Sequence, residues 1–384
     1  MEVSEIKRII GENFGKYTEF WKGLCEHEGT AFDKKEMDEV VDFAEKFARE
    51  EGFSVRRIPF EKCGDFLIID SGSGKNAAVF LAHLDTVHKI GAFGSEPVKI
   101  KDGIMYGPGV IDCKGGAAVA MLAMKAMKEA GVSVHTRLLL TTDEEISNRL
   151  GGEKEIEFFE ENVKGFDCVL NCEVGRKNEA VVSRKGIMRC RVSISGKAAH
   201  SGIDYFKGRS ALREAAHKII AIEEQSIENG TTYNCSTIES GNVPNIVPEK
   251  CEFTVDIRVK SEKDMEIAEK KIAEIVEKSF TDGVSAKYHV ISKRPPMVYN
   301  DDTKKLLGEL NGVCEKYGYH TFAPIESGGG SDSAYTQRAG VPTLCALGTA
   351  GEGCHTLGEY AEVDSLRERA EILAMFCGEK ETCS

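Results

Sequence analysis

What this 384-residue chain lacks already removes several classes of protein. It has no excess of basic residues: 63 Asp and Glu stand against 50 Lys and Arg, a formal net charge of −13. A nucleic-acid binder needs a basic face to meet phosphates, so no nucleic-acid partner is expected. No apolar run approaches the roughly 20 residues that cross a bilayer, so no membrane partner is expected either. The opening residues Met1-Glu2-Val3-Ser4-Glu5-Ile6 show no basic-then-apolar signal pattern, and a cytoplasmic location is the expectation. The 13 cysteines are scattered and form no Cys-x-x-Cys pair. In a reducing compartment they read as buried thiols rather than a disulfide framework.

What the chain does have is a series of apolar strands that end in metal-ligating residue types. Phe80-Leu81-Ala82-His83-Leu84-Asp85-Thr86-Val87 begins as a buried strand and ends with a histidine and an aspartate two residues apart. Side chains two apart on a strand share a face. A metal-binding histidine usually needs a carboxylate or carbonyl on its other ring nitrogen, and His-x-Asp can supply both partners. Alone, the motif is better read as a satisfied histidine at a core edge. Leu138–Thr142 ends in Asp143-Glu144-Glu145, three acids whose repulsion and desolvation a divalent cation would relieve. Asp167–Glu173 repeats the pattern, an apolar strand followed by a carboxylate. Gly103–Gly116 is a glycine-rich loop with Asp112 near its end, leading into an apolar helix over Ala117–Ala130. Gly351-Glu352-Gly353-Cys354-His355-Thr356 puts a further histidine in a late loop. His83, Asp112, Glu145 and Glu173 thus follow several strands, and sites in open α/β sheets form at the carboxyl ends of strands.

Around these motifs, residues 4–52 read as helical, with strands at Ser54–Pro59 and Asp65–Asp70. Gly72-Ser73-Gly74-Lys75 lacks the first glycine and the Ser or Thr of a phosphate loop and reads as a hairpin turn. Residues 181–295 change character. Their strands and helices run in β-α-β-β-α-β order, with one helix near 208–228, a split ferredoxin-like pattern. They look like a domain inserted into an α/β domain made of 1–180 and 296–384. A strand is expected over Val341–Leu347 and a final helix from Asp364.

Taken in order, His83-x-Asp85, Gly107-x-Gly109-x-x-Asp112-x-Lys114-Gly115-Gly116, Asp143-Glu144-Glu145, Glu173, Ala199-His200-Ser201-Gly202 and His355 resemble the dinuclear zinc aminoacyl and peptide hydrolases. That family includes glutamate carboxypeptidase, acetylornithine deacetylase, succinyl-diaminopimelate desuccinylase and aminoacylase. The resemblance spans essentially the whole chain. It implies an α/β fold: a zinc-peptidase-like catalytic domain with a central mixed sheet flanked by helices, plus an inserted ferredoxin-like α+β dimerisation (lid) domain. It implies that Asp112 bridges two zinc ions, that His83 and Glu173 complete one site, and that Glu145 and His355 complete the other. Asp85 would orient His83, Glu144 would be the general base and acid, and the peptide after Asp112 would be cis. His200 would reach into the site of the partner subunit, making the working unit a homodimer. Cys113 stands where relatives often carry Met or Asp, a change expected to touch only the bridging turn. The chain most resembles bacterial glutamate carboxypeptidase in Asn245, Arg258, Arg294 and the Gly328–Asp332 loop that holds Gly329. Arginine forks bind carboxylates bidentately, so two of them suit an acidic C-terminal residue.

The expected activity is therefore metal-dependent hydrolysis of the amide bond to a C-terminal amino acid with a free carboxylate, glutamate preferred. The substrate would be a small molecule or short peptide. Two zinc ions would polarise the carbonyl and lower the pKa of a shared water to about 7. Glu144 would carry its proton to the leaving amine, and His200 would donate to the oxyanion. Cobalt or manganese would also suit these N/O ligands. Two other readings stay open on this sequence. One is a deacetylase, desuccinylase, dipeptidase or tripeptidase on the same fold. The other is a non-catalytic, metal-dependent peptide-binding dimer, against which an intact Glu144 argues.

Overall fold

The computed structural model describes residues 2–381. They form two compact units: 2–182 with Tyr299–Glu326 and 331–381, and Ser183–Val298 with Ser327–Gly330. Among the described residues, no helix is long and apolar enough to cross a membrane.

The first unit is built on the strand Lys75–His83, buried without a break from Ala77 to its end. An unbroken pattern marks a strand covered on both faces. Val134–Thr141 and Val169–Asn171 run parallel on its two sides, and Thr343–Leu344 extends the parallel run. Phe66–Ser71 and Ser54–Ile58 add an antiparallel flank beyond Val134–Thr141, completing a mixed six-stranded sheet. Alternate residues of the central strand serve different cores. Ala78, Phe80 and Ala82 pack with Trp21, Met121 and Phe376, which come from helices Val3–Glu26, Lys114–Glu129 and Val363–Glu379. Val79 and Leu81 pack on the other face with Phe158, Phe159 and Tyr335.

Local order departs from the sequence expectation in four places. Residues 4–52 form two helices, Val3–Glu26 and Lys34–Glu50, the second capped where Asp33 accepts from the Glu36 N–H. The break lets the Gly29 carbonyl accept from Thr86 N–H, so the turn between the helices braces the loop after His83. The turn at Gly72–Gly74 is not a hairpin: its flanking strands are separated by Val134–Thr141, which lies between them. A Cβ on Gly72 would stand 1.8 Å from the Val134 carbonyl oxygen, and one on Gly74 2.0 Å from that of Ser133. These glycines therefore serve a close approach of backbones, which a local turn signal does not encode. The helix expected from Ala117 starts at Lys114, because Gly115 and Gly116 form its first turn. A Cβ on Gly116 would lie 1.8 Å from the Cys172 carbonyl oxygen. The strand expected over Val341–Leu347 pairs only at Thr343–Leu344.

In the second unit, strands Gly186–Ser195, Thr232–Ser240, Lys250–Val259 and Ser285–Arg294 alternate with helices Ala211–Glu223 and Glu262–Glu277 in β-α-β-β-α-β order. The pairs are all antiparallel, with Gly186–Ser195 and Lys250–Val259 central, the ferredoxin-like arrangement. Phe253, Val255 and Ile257 pack against Met265, Ala268 and Ile272. Where the chain enters and leaves this unit, Arg184 and Met297 exchange two backbone hydrogen bonds. Lys218 is wholly buried, 2.9 Å from Glu214. Its Nζ also donates to the carbonyl oxygens of Ile275, Val276 and Lys278, at the end of helix Glu262–Glu277, where carbonyls lack helical partners. One ammonium thus ties both helices. Lys218→Met would strand a buried carboxylate and these carbonyls, and is expected to lower stability by about 3–5 kcal/mol. Urea unfolding checks this: a change below about 1 kcal/mol would remove the ion pair from the account of how this unit holds together.

Candidate metal centre

The parallel strands deliver side chains at their carboxyl ends. His83 closes Lys75–His83, and Glu173 stands two residues beyond Val169–Asn171. Val134–Thr141 leads through Asp143 into a single 3-10 turn, Glu144–Ile146. Asp112 comes from the loop before helix Lys114–Glu129, and the peptide between Asp112 and Cys113 is cis. His355 sits in the loop between Gly351–Glu352 and Tyr360–Glu362, at a left-handed φ of 64°.

These five side chains converge within the first unit. Nε2 of His83 lies 3.1 Å from Oδ1 of Asp112 and 3.9 Å from Oε1 of Glu173. Nε2 of His355 lies 3.2 Å from Oδ2 of Asp112 and 3.0 Å from Oε2 of Glu145. Asp112 therefore turns one oxygen towards each histidine. His83, Asp112 and Glu145 offer donor atoms that all lie within 4.8 Å of one another. His83, Asp112 and Glu173 are buried, whereas the His355 side chain is 54% exposed and forms the open side.

Three carboxylates gathered out of water repel unless protons or cations compensate. Hydrogen bonds to Asp112 and Glu145 push His355 up to about 11. Burial and the charge of Asp112 push Glu145 up to about 8. Burial opposes ionisation of Asp112, yet hydrogen bonds from His355 and His83 hold it well below the usual carboxylate range. A divalent ion would take the inward-facing lone pairs that protons must otherwise compensate. Imidazole and carboxylate donors in two groups, joined by Asp112, fit a pair of such ions.

Two further carboxylates hold the site through main-chain amides. Asp85 is fully buried. Its backbone oxygen is 3.0 Å from Nδ1 of His83, and its carboxylate is 3.4 Å from the same nitrogen. That carboxylate accepts from the N–H groups of Glu144, at 3.3 Å, and Glu145, at 3.1 Å. Glu359 is the residue that sequence reasoning misses. Its buried carboxylate accepts from the N–H groups of Gly109, Ile111 and Asp112 at 3.0–3.2 Å and lies 3.2 Å from Nε2 of His88. The only signal is an acid four residues after His355. Nothing in the sequence connects it to a loop some 250 residues earlier. Cys113 also reaches further than the bridging turn: its Sγ accepts from the His83 N–H at 3.1 Å and lies with His83 and Glu173 in one donor cluster.

The remaining expected residues belong to the second unit. His200 is exposed, and its Nδ1 accepts from Gly202 N–H. Asn245 is exposed, and its carbonyl accepts from Ser201 N–H. Arg258 donates to Asp256 through Nε and Nη2, at 2.6 and 3.2 Å, and through Nη1 to the Gly328 carbonyl at 3.4 Å. Arg294 is buried, 3.1 Å from where a Cβ on Gly330 would stand, and the Gly329 carbonyl accepts from Arg184. The structure gathers Arg184, Arg258 and Arg294 around one glycine loop, Gly328–Gly330.

Glu359→Gln keeps one acceptor oxygen and turns an NH2 group towards main-chain donors. It is expected to weaken divalent-ion binding roughly 10–100-fold and to cost about 1–3 kcal/mol of stability. Metal titration of the apoprotein and urea unfolding measure both, and an unchanged ion affinity would contradict the clamp.

A model of Peptidase family M20/M25/M40 matches residues 79–379. The chain is similar to carboxypeptidase G2 of Pseudomonas sp. (strain RS-16), 28% identical over 347 residues, which is 87% of this chain and 81% of that protein. It is similar to succinyl-diaminopimelate desuccinylase of Wigglesworthia glossinidia brevipalpis, 27% identical over 341 residues, covering 82% and 86%. The fold is shared with aminopeptidase PepT of Bacillus cereus ATCC 10987, with a TM-score of 0.75 at 23% identity over 97% of this chain and 98% of the other. The chain belongs to Peptidase family M20/M25/M40, a family of metal-dependent hydrolases.

Proposed function

We propose that the first unit holds two divalent ions, zinc by preference, and that the protein cleaves the amide bond to a C-terminal amino acid with a free carboxylate, of the glutamate type. The observation that carries this reading is Asp112 presenting one oxygen to His83 and the other to His355, with Glu173 and Glu145 completing the two groups. Bound ions supply Lewis acidity for the scissile carbonyl and a nucleophilic water near neutral pH.

The chain's own residues supply the rest. Glu144 and Glu145 are adjacent, and neighbouring side chains diverge, so one can ligate while the other moves a proton. Glu144 takes the proton of the attacking water and returns it to the leaving amine. Asp85 fixes the backbone from which both glutamates project. Arg258, Arg294, Asn245 and Gly329 recognise the carboxylates of the released amino acid. The pairing of Arg258 with Asp256 sets the orientation of its guanidinium before substrate arrives. His200 donates to the oxyanion in the site of the partner subunit. Ile203 and Phe206, beside it, are 78% and 90% exposed, which supports a homodimer formed through the second unit. The described cysteines are free thiols, which supports a reducing, cytoplasmic setting. A deacylase acting on N-acyl or N-succinyl amino acids is the second reading, favoured by the similarity to a desuccinylase.

Glu144→Gln should keep its metal and lose turnover by about 10²–10⁴-fold; hydrolysis at the wild-type rate would remove Glu144 as the base. Across a panel of N-acyl amino acids and short peptides, N-acyl-glutamates should be cleaved fastest, with chelator abolishing release. Arg258→Ala should raise KM for those substrates and leave kcat nearly unchanged. A KM unaltered for every N-acyl amino acid would end its recognition role.

A further inference from the structure

Gly328, Gly329 and Gly330 are consecutive, and packing demands a glycine only at the last. A Cβ on Gly330 would stand 2.9 Å from Cδ1 of Ile187 and 3.1 Å from Cδ of Arg294. One on Gly329 would meet nothing nearer than 3.7 Å, and one on Gly328 nothing within 4 Å. None of the three has a left-handed φ. Three glycines in a row are loose in themselves, because glycine gives up more conformational freedom on ordering than any other residue. Other groups of the same unit must hold them. The Gly329 N–H donates to the Ser327 hydroxyl at 3.2 Å, and arginines meet all three carbonyls.

The arginine contacts are unequal. Arg258 spends Nε and Nη2 on Asp256 and reaches the Gly328 carbonyl with Nη1 at 3.4 Å, longer than an ordinary N–H···O bond. A carboxylate at that nitrogen would form a charge-assisted bond of about 2.7–2.9 Å, which outcompetes a distant carbonyl. Arg184 is placed differently. It is buried, and its backbone is fixed by the two hydrogen bonds with Met297. Its Nη1 donates to two successive carbonyls, Gly329 at 3.4 Å and Gly330 at 3.2 Å. An incoming anion would break one loop contact at Arg258 but two at Arg184.

We propose that Arg184 is a positioning residue: it anchors Gly329 and Gly330, so that the loop gives way only at Gly328 when a substrate carboxylate takes Nη1 of Arg258. The anchor does two things. It holds Gly330 against the stem of Arg294, whose Cδ leaves no room for a side chain there. It also engages one guanidinium with loop carbonyls, so the carboxylate is left to Arg258, whose fork Asp256 has already oriented. Without the anchor the three glycines would sample many arrangements, and binding substrate would carry the cost of ordering them. The cost falls on binding rather than on the chemical step, which takes place in the first unit. This role for Arg184 rests on the reading of Arg258 as a carboxylate-binding group.

The test compares Arg184→Met, Arg184→Lys and Arg258→Ala. With N-acyl-glutamate, R184M should raise KM roughly 10-fold and leave kcat nearly unchanged. The inhibition constant of free glutamate should rise by the same factor, and cobalt titration should match wild type. Relaxation measurements on protein labelled with 15N-glycine read the anchor directly: order parameters of the Gly329 and Gly330 amides should fall from about 0.85 to below about 0.6. Lysine keeps the charge and one donor point, so R184K should show smaller changes of the same kind, and it supplies both readouts if R184M does not fold. Three results would each overturn the proposal: wild-type order parameters in the Arg184 variants, a wild-type KM in R184M beside a raised KM in R258A, or a fall in kcat with KM unaltered. A wild-type KM in R258A would strike the recognition reading itself, and the glycine amides would still decide whether Arg184 holds the loop.

Discussion

A carboxylate taken out of water must find a cation, a set of N–H donors or a proton, and the first unit is arranged around satisfying many of them within one small volume. Glu359 and Asp85 use main-chain amides: three N–H groups meet the first and two the second. Asp112, Glu145 and Glu173 face histidines. Each solution also fixes backbone. The amides that neutralise Glu359 are those of the loop that aims Asp112, and the amides that neutralise Asp85 start the Glu144–Ile146 turn. Charge compensation and positioning are therefore the same set of hydrogen bonds. The parallel strands matter because they bring four separated stretches of chain to one edge, where such bonds can form.

On the proposed reading, chemistry and recognition divide between the two units. The five candidate ligands lie in the first, and the arginines expected to read the substrate lie in the second, where Arg189 and Arg258 share Asp256. The relatives carry names as different as carboxypeptidase and desuccinylase. A common hydrolytic centre with varied recognition is what a fold that hosts several activities would need.

Much of the candidate site was legible in the sequence because several of its candidate ligands stand at the ends of apolar strands, where pattern and chemistry coincide. His83 and Glu173 follow buried runs directly, and the structure brings His83 near Glu173 and Asp112, and His355 near Asp112 and Glu145. The β-α-β-β-α-β order was legible for the same reason, since each element there is a clean periodic segment. What stayed hidden depends on distant backbone. Gly72 and Gly74 signal a turn in either case, but only the fold shows Val134–Thr141 lying between the strands they join. Glu359 acts on a loop far from it in sequence. Cys113 looked confined to its own turn, yet its sulfur meets the backbone of His83. Pairings of this kind arise from packing, and no local period records them.

The hydrogen-bonded pair Arg184 and Met297 has a bearing on how the chain folds. The second unit leaves the first and returns to it at neighbouring points, so a folded second unit acts on the outer chain as a short, stiff link. Closing a loop of more than a hundred flexible residues would cost the outer unit several kcal/mol of chain entropy; closing one whose ends are already together costs far less. Assembly of the six-stranded sheet, which must join strands before the insertion to Thr343–Leu344 after it, is thereby relieved of its longest search. The order of events favours the inserted module forming early and the outer sheet knitting across it.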